Sequence, residues 1–353
     1  MKNILSTCIV ISRKYNLNSC TLVRVAMAIM VVMAMIGCST EPKSGAPKTE
    51  IKPVPKVEVP VFSADSAYGF IQKQVDFGPR VPNTEPHSKT AAWLASELER
   101  LGLTVETQTG QVYTYDDRAL NIKNIIGKTN IENKNRVLLF AHWDTRHLAD
   151  RGDDENYNTP IDGANDGASG VGVILELLRT INASKTKPNV GLDVVFFDAE
   201  DHGYPEKSDL PYKEDSWCLG TQFWANSEPY KTATKPKFGI LLDMVGAADA
   251  VFPQEAVSLG YARQTVNKIW SQAARLGYSS YFTGQVIEGG LTDDHLYVNR
   301  MVQVPSVDII HYDLSRGSFG EFHHTVNDNM SIIHKPTLQV VGNVVLNVIY
   351  NQR

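Results

Sequence analysis

Cysteine is almost missing from the main part of this chain. Of four cysteines in 353 residues, Cys8, Cys20 and Cys38 fall near the N-terminus and only Cys218 lies beyond them. One thiol closes no internal disulfide, so the folded body depends on its core, and Cys218 reads as a small packed hydrophobe. Excess charge is missing too. A formal net charge of -5, with 21% charged residues, gives no electrostatic basis for binding nucleic acid or an anionic membrane surface. Val25–Gly37 is apolar but too short to span a bilayer comfortably. No internal repeat is visible. What is present, 42% hydrophobic residues, is the composition of a globular core, enough for one large domain or two ordinary ones.

The first residues carry an address. Lys2, Arg13, Lys14 and Arg24 precede the apolar run, which exits through Ile36-Gly37-Cys38-Ser39. A basic segment, a short apolar core and small residues at its end describe an export signal over residues 1–38. The cysteine after Gly37 resembles the lipobox of bacterial lipoproteins. That resemblance implies acylation of Cys38 and a membrane-anchored or periplasmic protein, touching the membrane only through this end. Residues 39–61 are rich in Lys, Glu and Pro, too poor in apolar surface to fold, and read as an extended tether. Residues 62–353 then form the functional domain.

Within that domain, helical spacing predicts helices over 63–75, 86–101, from 168 onward, 263–276 and 336–350. Strands are expected over 104–113, 119–127, 136–141, 192–198, 238–245 and 304–310. Several of these, such as RVLLFA and LDVVFF, are apolar throughout, as in strands covered on both faces. The alternation predicts an α/β fold: a single open, twisted, mostly parallel central sheet with helices on both faces.

Acids and histidines fall just past the predicted strands, where open α/β sheets bind ligands. His142 and Asp144 follow RVLLFA; Asp198, Glu200 and Asp201 follow VVFF; Asp243 ends GILLD. Asp166 sits in a Gly/Asn/Asp turn that runs straight into a helix. Carboxylates and imidazoles without a thiolate suit a borderline metal such as zinc. Asp198 is expected to brace a strand end and Asp144 to orient His142. The stretch DRGDDENYN, 150–158, is expected to be a solvated loop.

The order HWD, DGANDGASG, FFDAED, LLDMVG, TDDH and HHT resembles the zinc-dependent aminopeptidase superfamily, and within it the glutaminyl-peptide cyclotransferases. The resemblance implies a zinc aminopeptidase (phosphorylase/hydrolase-like) fold and an acyltransferase that turns the N-terminal glutamine of peptides into pyroglutamate with release of ammonia. Carried over by position, one zinc is held by Asp166, Asp201 and His324, and Glu200 carries the proton. Asp243 and Asp293 assist it, and Phe319 and His323 contact the substrate. Of the tryptophans that could line a substrate pocket, Trp143, Trp217 and Trp224, the last is the one taken as substrate-binding. The alternative is a two-zinc aminopeptidase with His142 and Asp243 as further ligands; the extra acid Asp293 favours the cyclase. Asp201 stands where animal cyclases commonly have Glu, and Asp308 where they have a buried histidine. The expected partners are peptides or proteins beginning with Gln, met by a monomer.

Overall fold

The computed structural model describes residues 58–352; the export signal, Cys38 and the tether up to residue 57 lie outside the described residues. Val61 is exposed, whereas Phe62 is buried against Gly342 in the closing helix.

Local rules account for the helix starts. Helix α1, Ala64–Val75, is capped by Ser63, whose Oγ accepts the Ser66 amide at 3.2 Å. Helix α2, Glu85–Arg100, starts at Thr84, whose hydroxyl accepts the His87 amide, with Pro86 in the first turn. Two long strands follow, β1 (Thr104–Tyr113) and β2 (Ala119–Lys128), paired antiparallel. Next come β3 (Arg136–His142), helix α3 (Ala168–Ala183) and β4 (Gly191–Phe197). Helix α4 (Leu219–Asn226) leads to β5 (Phe238–Asp243). A side unit follows: β6 (Phe252–Glu255), α5 (Ala256–Arg275) and β7 (Phe282–Ile287), with β6 and β7 paired parallel. One short turn of helix, α6 (Asp294–Tyr297), precedes β8 (Ser306–Ile310), and α7 (Lys335–Tyr350) closes the chain.

The main sheet has the order β1-β2-β4-β3-β5-β8, with β4, β3, β5 and β8 mutually parallel and β2 antiparallel to β4. Side chains of β3 alternate between two cores. Val137, Leu139 and Ala141 pack among residues of α1, α3 and α7, while Leu138 and Phe140 meet Trp224 of α4 on the opposite face. Helices therefore cover both faces, which is why these strands carry apolar residues throughout.

Some elements differ from the sequence expectation. Helix α5 begins at Ala256 rather than at Arg263, because Glu255 caps it; its path breaks at Ala262, where φ is -134°. The β6–β7 pair, α4 and α6 were not anticipated, being short segments without a clear apolar period. Among the described residues no helix is long and apolar enough to cross a membrane.

Candidate active site

The site forms where β3, β4 and β5 end side by side. His142 closes β3, Asp198–Asp201 follow β4, and Asp243 closes β5. Asp166 is delivered by the turn before α3. There the Asp328 carboxylate accepts the amides of Asn165 at 2.7 Å and Asp166 at 2.9 Å, fixing the turn from outside. Gly167 completes it at φ +86°, where a Cβ would come within 2.9 Å of both the Asp144 carbonyl oxygen and His142 Cε1. Ala199, Cys218, Met244 and His324 also hold positive φ, between 47° and 56°. Four non-glycine residues at or beside the site thus hold backbone conformations that disfavour a side chain.

Asp166, His323 and His324 bring polar atoms to within 4.8 Å of one another, and Asp201 approaches the same histidine. His324 Nε2 lies 3.0 Å from Asp201 Oδ1 and 3.7 Å from Asp166 Oδ2. Asp201 is buried, yet neither of its carboxylate oxygens accepts a well-directed hydrogen bond. Two buried acids beside an imidazole, with oxygens left unpaired, form a donor set that fits zinc. The other ring nitrogen of His324 faces Asp150 Oδ1 at 3.4 Å, the usual way a ligand imidazole is oriented. Burial works against charge on this ring, but Asp201 and Asp150 raise its pKa to about 9. His323 also approaches Asp166 Oδ2, at 3.8 Å, and stacks on His324 with ring centres 3.7 Å apart.

Beside these lies a group of acids. Glu200, Asp243 and Asp293 line a cavity of about 270 Å³ together with Asp166, His324, Trp217 and Phe319. Burial, partly offset by His142 and reinforced by Asp293 and Asp201, holds the Glu200 carboxyl well above its ordinary range. Burial, then Asp243 and Asp294, does the same to Asp293. Cys218 Sγ donates to Glu200 Oε1 at 3.1 Å, so this thiol is a polar neighbour of the site rather than only packing. Asp144 accepts the amides of Glu200 (3.0 Å) and Asp201 (3.2 Å) and approaches His142 Nδ1 at 3.5 Å. It therefore orients the acid pair as well as the histidine. His142 Nε2 touches Asp166 Oδ1 at 2.9 Å and Asp243 Oδ1 at 3.3 Å.

The structure thus brings together Asp166, Asp201, His324, Glu200, Asp243, Asp293, His142, Phe319 and His323. Trp224 is elsewhere: it packs edge-on against Phe197 and Tyr230 in the core beneath α4, and Trp217 walls the cavity instead, its ring parallel to His324. Asp150 departs from the solvated loop expected at 150–158. It is buried and ion-paired to Arg146, which sequence reasoning overlooked. Asp328 was overlooked too, since nothing marks a single acid in VNDN as an anchor. Asp198 braces the strand end as expected, accepting from the Lys123 amide at 2.6 Å and bonding His87 Nε2 at 2.7 Å.

A mostly parallel α/β sheet with a carboxylate–imidazole pocket beyond its strand ends defines a protein of the zinc-exopeptidase fold. The model of Peptidase family M28 matches residues 124–349, and the chain belongs to that family. Its structure is similar to that of Tannerella forsythia glutaminyl cyclase, 49% identical, covering 83% of this chain and 100% of that one with a TM-score of 0.80. A Zn-dependent exopeptidase from Parabacteroides distasonis is 48% identical, with the same coverage and a TM-score of 0.80. Bovine glutaminyl-peptide cyclotransferase is 26% identical over 254 residues; the match spans 64% of this chain and 64% of the bovine protein, less than two thirds of its length.

Proposed function

We propose that this chain is a zinc-dependent glutaminyl-peptide cyclotransferase, closing the N-terminal glutamine of peptides to pyroglutamate with loss of ammonia. The observation that carries this reading is the pairing of Glu200 with Asp293 in a buried cavity. Together with Cys218, they offer polar atoms all within 4.8 Å of one another. Cyclisation moves a proton from the attacking α-amine to the departing amide nitrogen, and a base beside a proton-holding acid suits that transfer. The similarity to Tannerella forsythia glutaminyl cyclase supports the same reading.

Asp166, Asp201 and His324 would hold one zinc, which supplies Lewis acidity toward the γ-carbonyl of the substrate. Trp217 and Phe319 wall the cavity and keep the glutamine side chain folded, so that amine and amide meet within one molecule. Glu200 takes the amine proton and returns it to the leaving nitrogen. Burial, with the neighbouring carboxylates, keeps the Glu200 proton affinity high enough for this to work near neutral pH. The N-terminal signal and Cys38 fit an exported lipoprotein acting on exported Gln-initiated chains.

The second reading is a two-metal aminopeptidase, favoured by the compact grouping of His142, Asp166 and Asp243 and by the similarity to a Zn-dependent exopeptidase. Substituting Glu200→Gln tests the cyclase mechanism. Turnover of a Gln-initiated peptide should fall by about 10²–10⁴-fold with zinc content unchanged; a variant that keeps its turnover removes Glu200 from the mechanism.

A further inference from the structure

Between the proposed ligand Asp201 and the cavity wall at Trp217, residues 202–216 run without helix or strand. So long an irregular stretch is uncommon in a compact domain and is more often functional than merely connecting. It is tied down at several points. The Tyr204 amide donates to Ser216 Oγ at 3.2 Å, the Glu206 amide to Asp150 Oδ2 at 3.1 Å, and Lys213 Nζ to the Thr114 carbonyl at 3.0 Å. The Tyr204 hydroxyl donates to the carbonyls of Ser208, at 3.3 Å, and Leu210. A loop fastened in this way presents its side chains at fixed places.

Its aromatic residues form a row that leads out of the active site. Tyr204 lines the cavity. Its ring meets Tyr115, from the connection between β1 and β2, edge-on with centres 5.5 Å apart. It meets Tyr212 edge-on as well, at 5.6 Å. Tyr212 stands in solvent, 71% exposed, and Leu210, whose carbonyl the Tyr204 hydroxyl holds, is 47% exposed. Single exposed apolar side chains are ordinary, but these two continue a surface that begins inside a ligand cavity. Charge at the mouth is balanced, since Arg151 and Glu206, which also line the cavity, face each other at 3.5 Å. The row therefore offers rings, not charge, to whatever leaves the cavity.

We propose that Tyr204 and Tyr212 form a subsite for the residues that follow the N-terminal glutamine, selecting aromatic and large apolar side chains at the second and third positions. The inference rests on the cyclase reading, which seats the glutamine in the cavity, so that the rest of the peptide leaves through the mouth beside Tyr204. An extended chain advances about 3.3 Å per residue. The 5.6 Å from the Tyr204 ring to the Tyr212 ring is therefore the reach of about two residues. Tyrosine suits an exposed contact surface, because its large rigid ring is ordered with little loss of entropy.

Two peptides test this on the zinc-loaded full-length enzyme, Gln-Phe-Tyr-Ala and Gln-Gly-Gly-Ala. The first should show a KM about 3–10-fold below that of the second, with similar kcat. That advantage should vanish in Tyr212→Ser and persist in Tyr212→Phe, which keeps the ring. Because it is a ratio within one variant, any general loss of folded enzyme cancels. Dissociation constants of both peptides, measured by calorimetry on Glu200→Gln with and without Tyr212→Ser, give the same ratio without turnover. Equal KM and Kd for the two peptides with Tyr212 in place, or a ratio unmoved by Tyr212→Ser, overturns the proposal. If no Gln-initiated peptide is cyclised, the cyclase reading fails instead, and the ratio of dissociation constants still decides the subsite.

Discussion

The Arg146 guanidinium clasps the Asp150 carboxylate through two bonds, Nη2 to Oδ2 at 2.6 Å and Nε to Oδ1 at 3.0 Å. Its remaining nitrogen donates to the carbonyls of Asp201 (3.0 Å) and Gly203 (3.1 Å), and its flat face lies over the Trp217 ring at 4.7 Å. Asp150 in turn reaches His324 Nδ1. One buried ion pair therefore orients two of the three proposed zinc ligands and the cavity wall. Breaking it leaves a buried charge without its partner as well as a misdirected imidazole.

Asp150→Asn should accordingly weaken zinc binding by about 10–100-fold, read by competition with a chelator. Zinc affinity equal to the wild type would mean that the His324–Asp150 contact does not orient the ligand.

Helix α3 carries Asp166 into the site and lies hard against β5. A Cβ at Gly170 would fall 1.9 Å from the Leu242 carbonyl oxygen, which is strand backbone and cannot turn aside. Gly170→Ala should destabilise the fold by about 1–3 kcal/mol, measured by urea unfolding. An unchanged midpoint would contradict this close seating of α3.

His147 gives a pH signature outside the acid group. Burial, then the neighbouring His202 and Arg146, lowers its pKa to about 2 from an ordinary value of 6.5. The ring is neutral in the folded protein and accepts from Arg118 Nη2 at 3.0 Å. Because the folded pKa is depressed, its stabilising contribution is present above pH ~6.5 and is lost as pH falls, at up to ~1.4 kcal/mol per unit for a fully shifted group. His147→Gln keeps an acceptor for Arg118 but cannot be protonated. Its melting temperature should fall less than that of the wild type between pH 7 and 5; parallel curves would show that His147 is charged in the native state.

Much of this arrangement is legible in the sequence. Strands covered on both faces must be apolar throughout, so β3, β4 and β5 announce themselves, and the acids that follow them fall at one sheet edge. That logic finds His142, Asp201 and Asp243 without coordinates. It does not find Asp150, because an acid in DRGDD looks solvated until Arg146 is seen folded over it. Trp224 misled for the opposite reason. A tryptophan far from any predicted element carries no mark of which side of α4 it occupies, and here that side is the core under β4. Glu255 was invisible as a cap because the period of α5 breaks at Ala262, and the helix was read only from beyond that break.

The most direct test of the central claim is to incubate the purified protein with a Gln-initiated peptide and, separately, a Leu-initiated one, following both by mass spectrometry with metal content assayed alongside. The account predicts loss of one ammonia from the first peptide, no change in the second, and about one zinc per chain. Release of a free amino acid from the Leu peptide, with two metals bound, would contradict it and turn His142 and Asp243 into ligands.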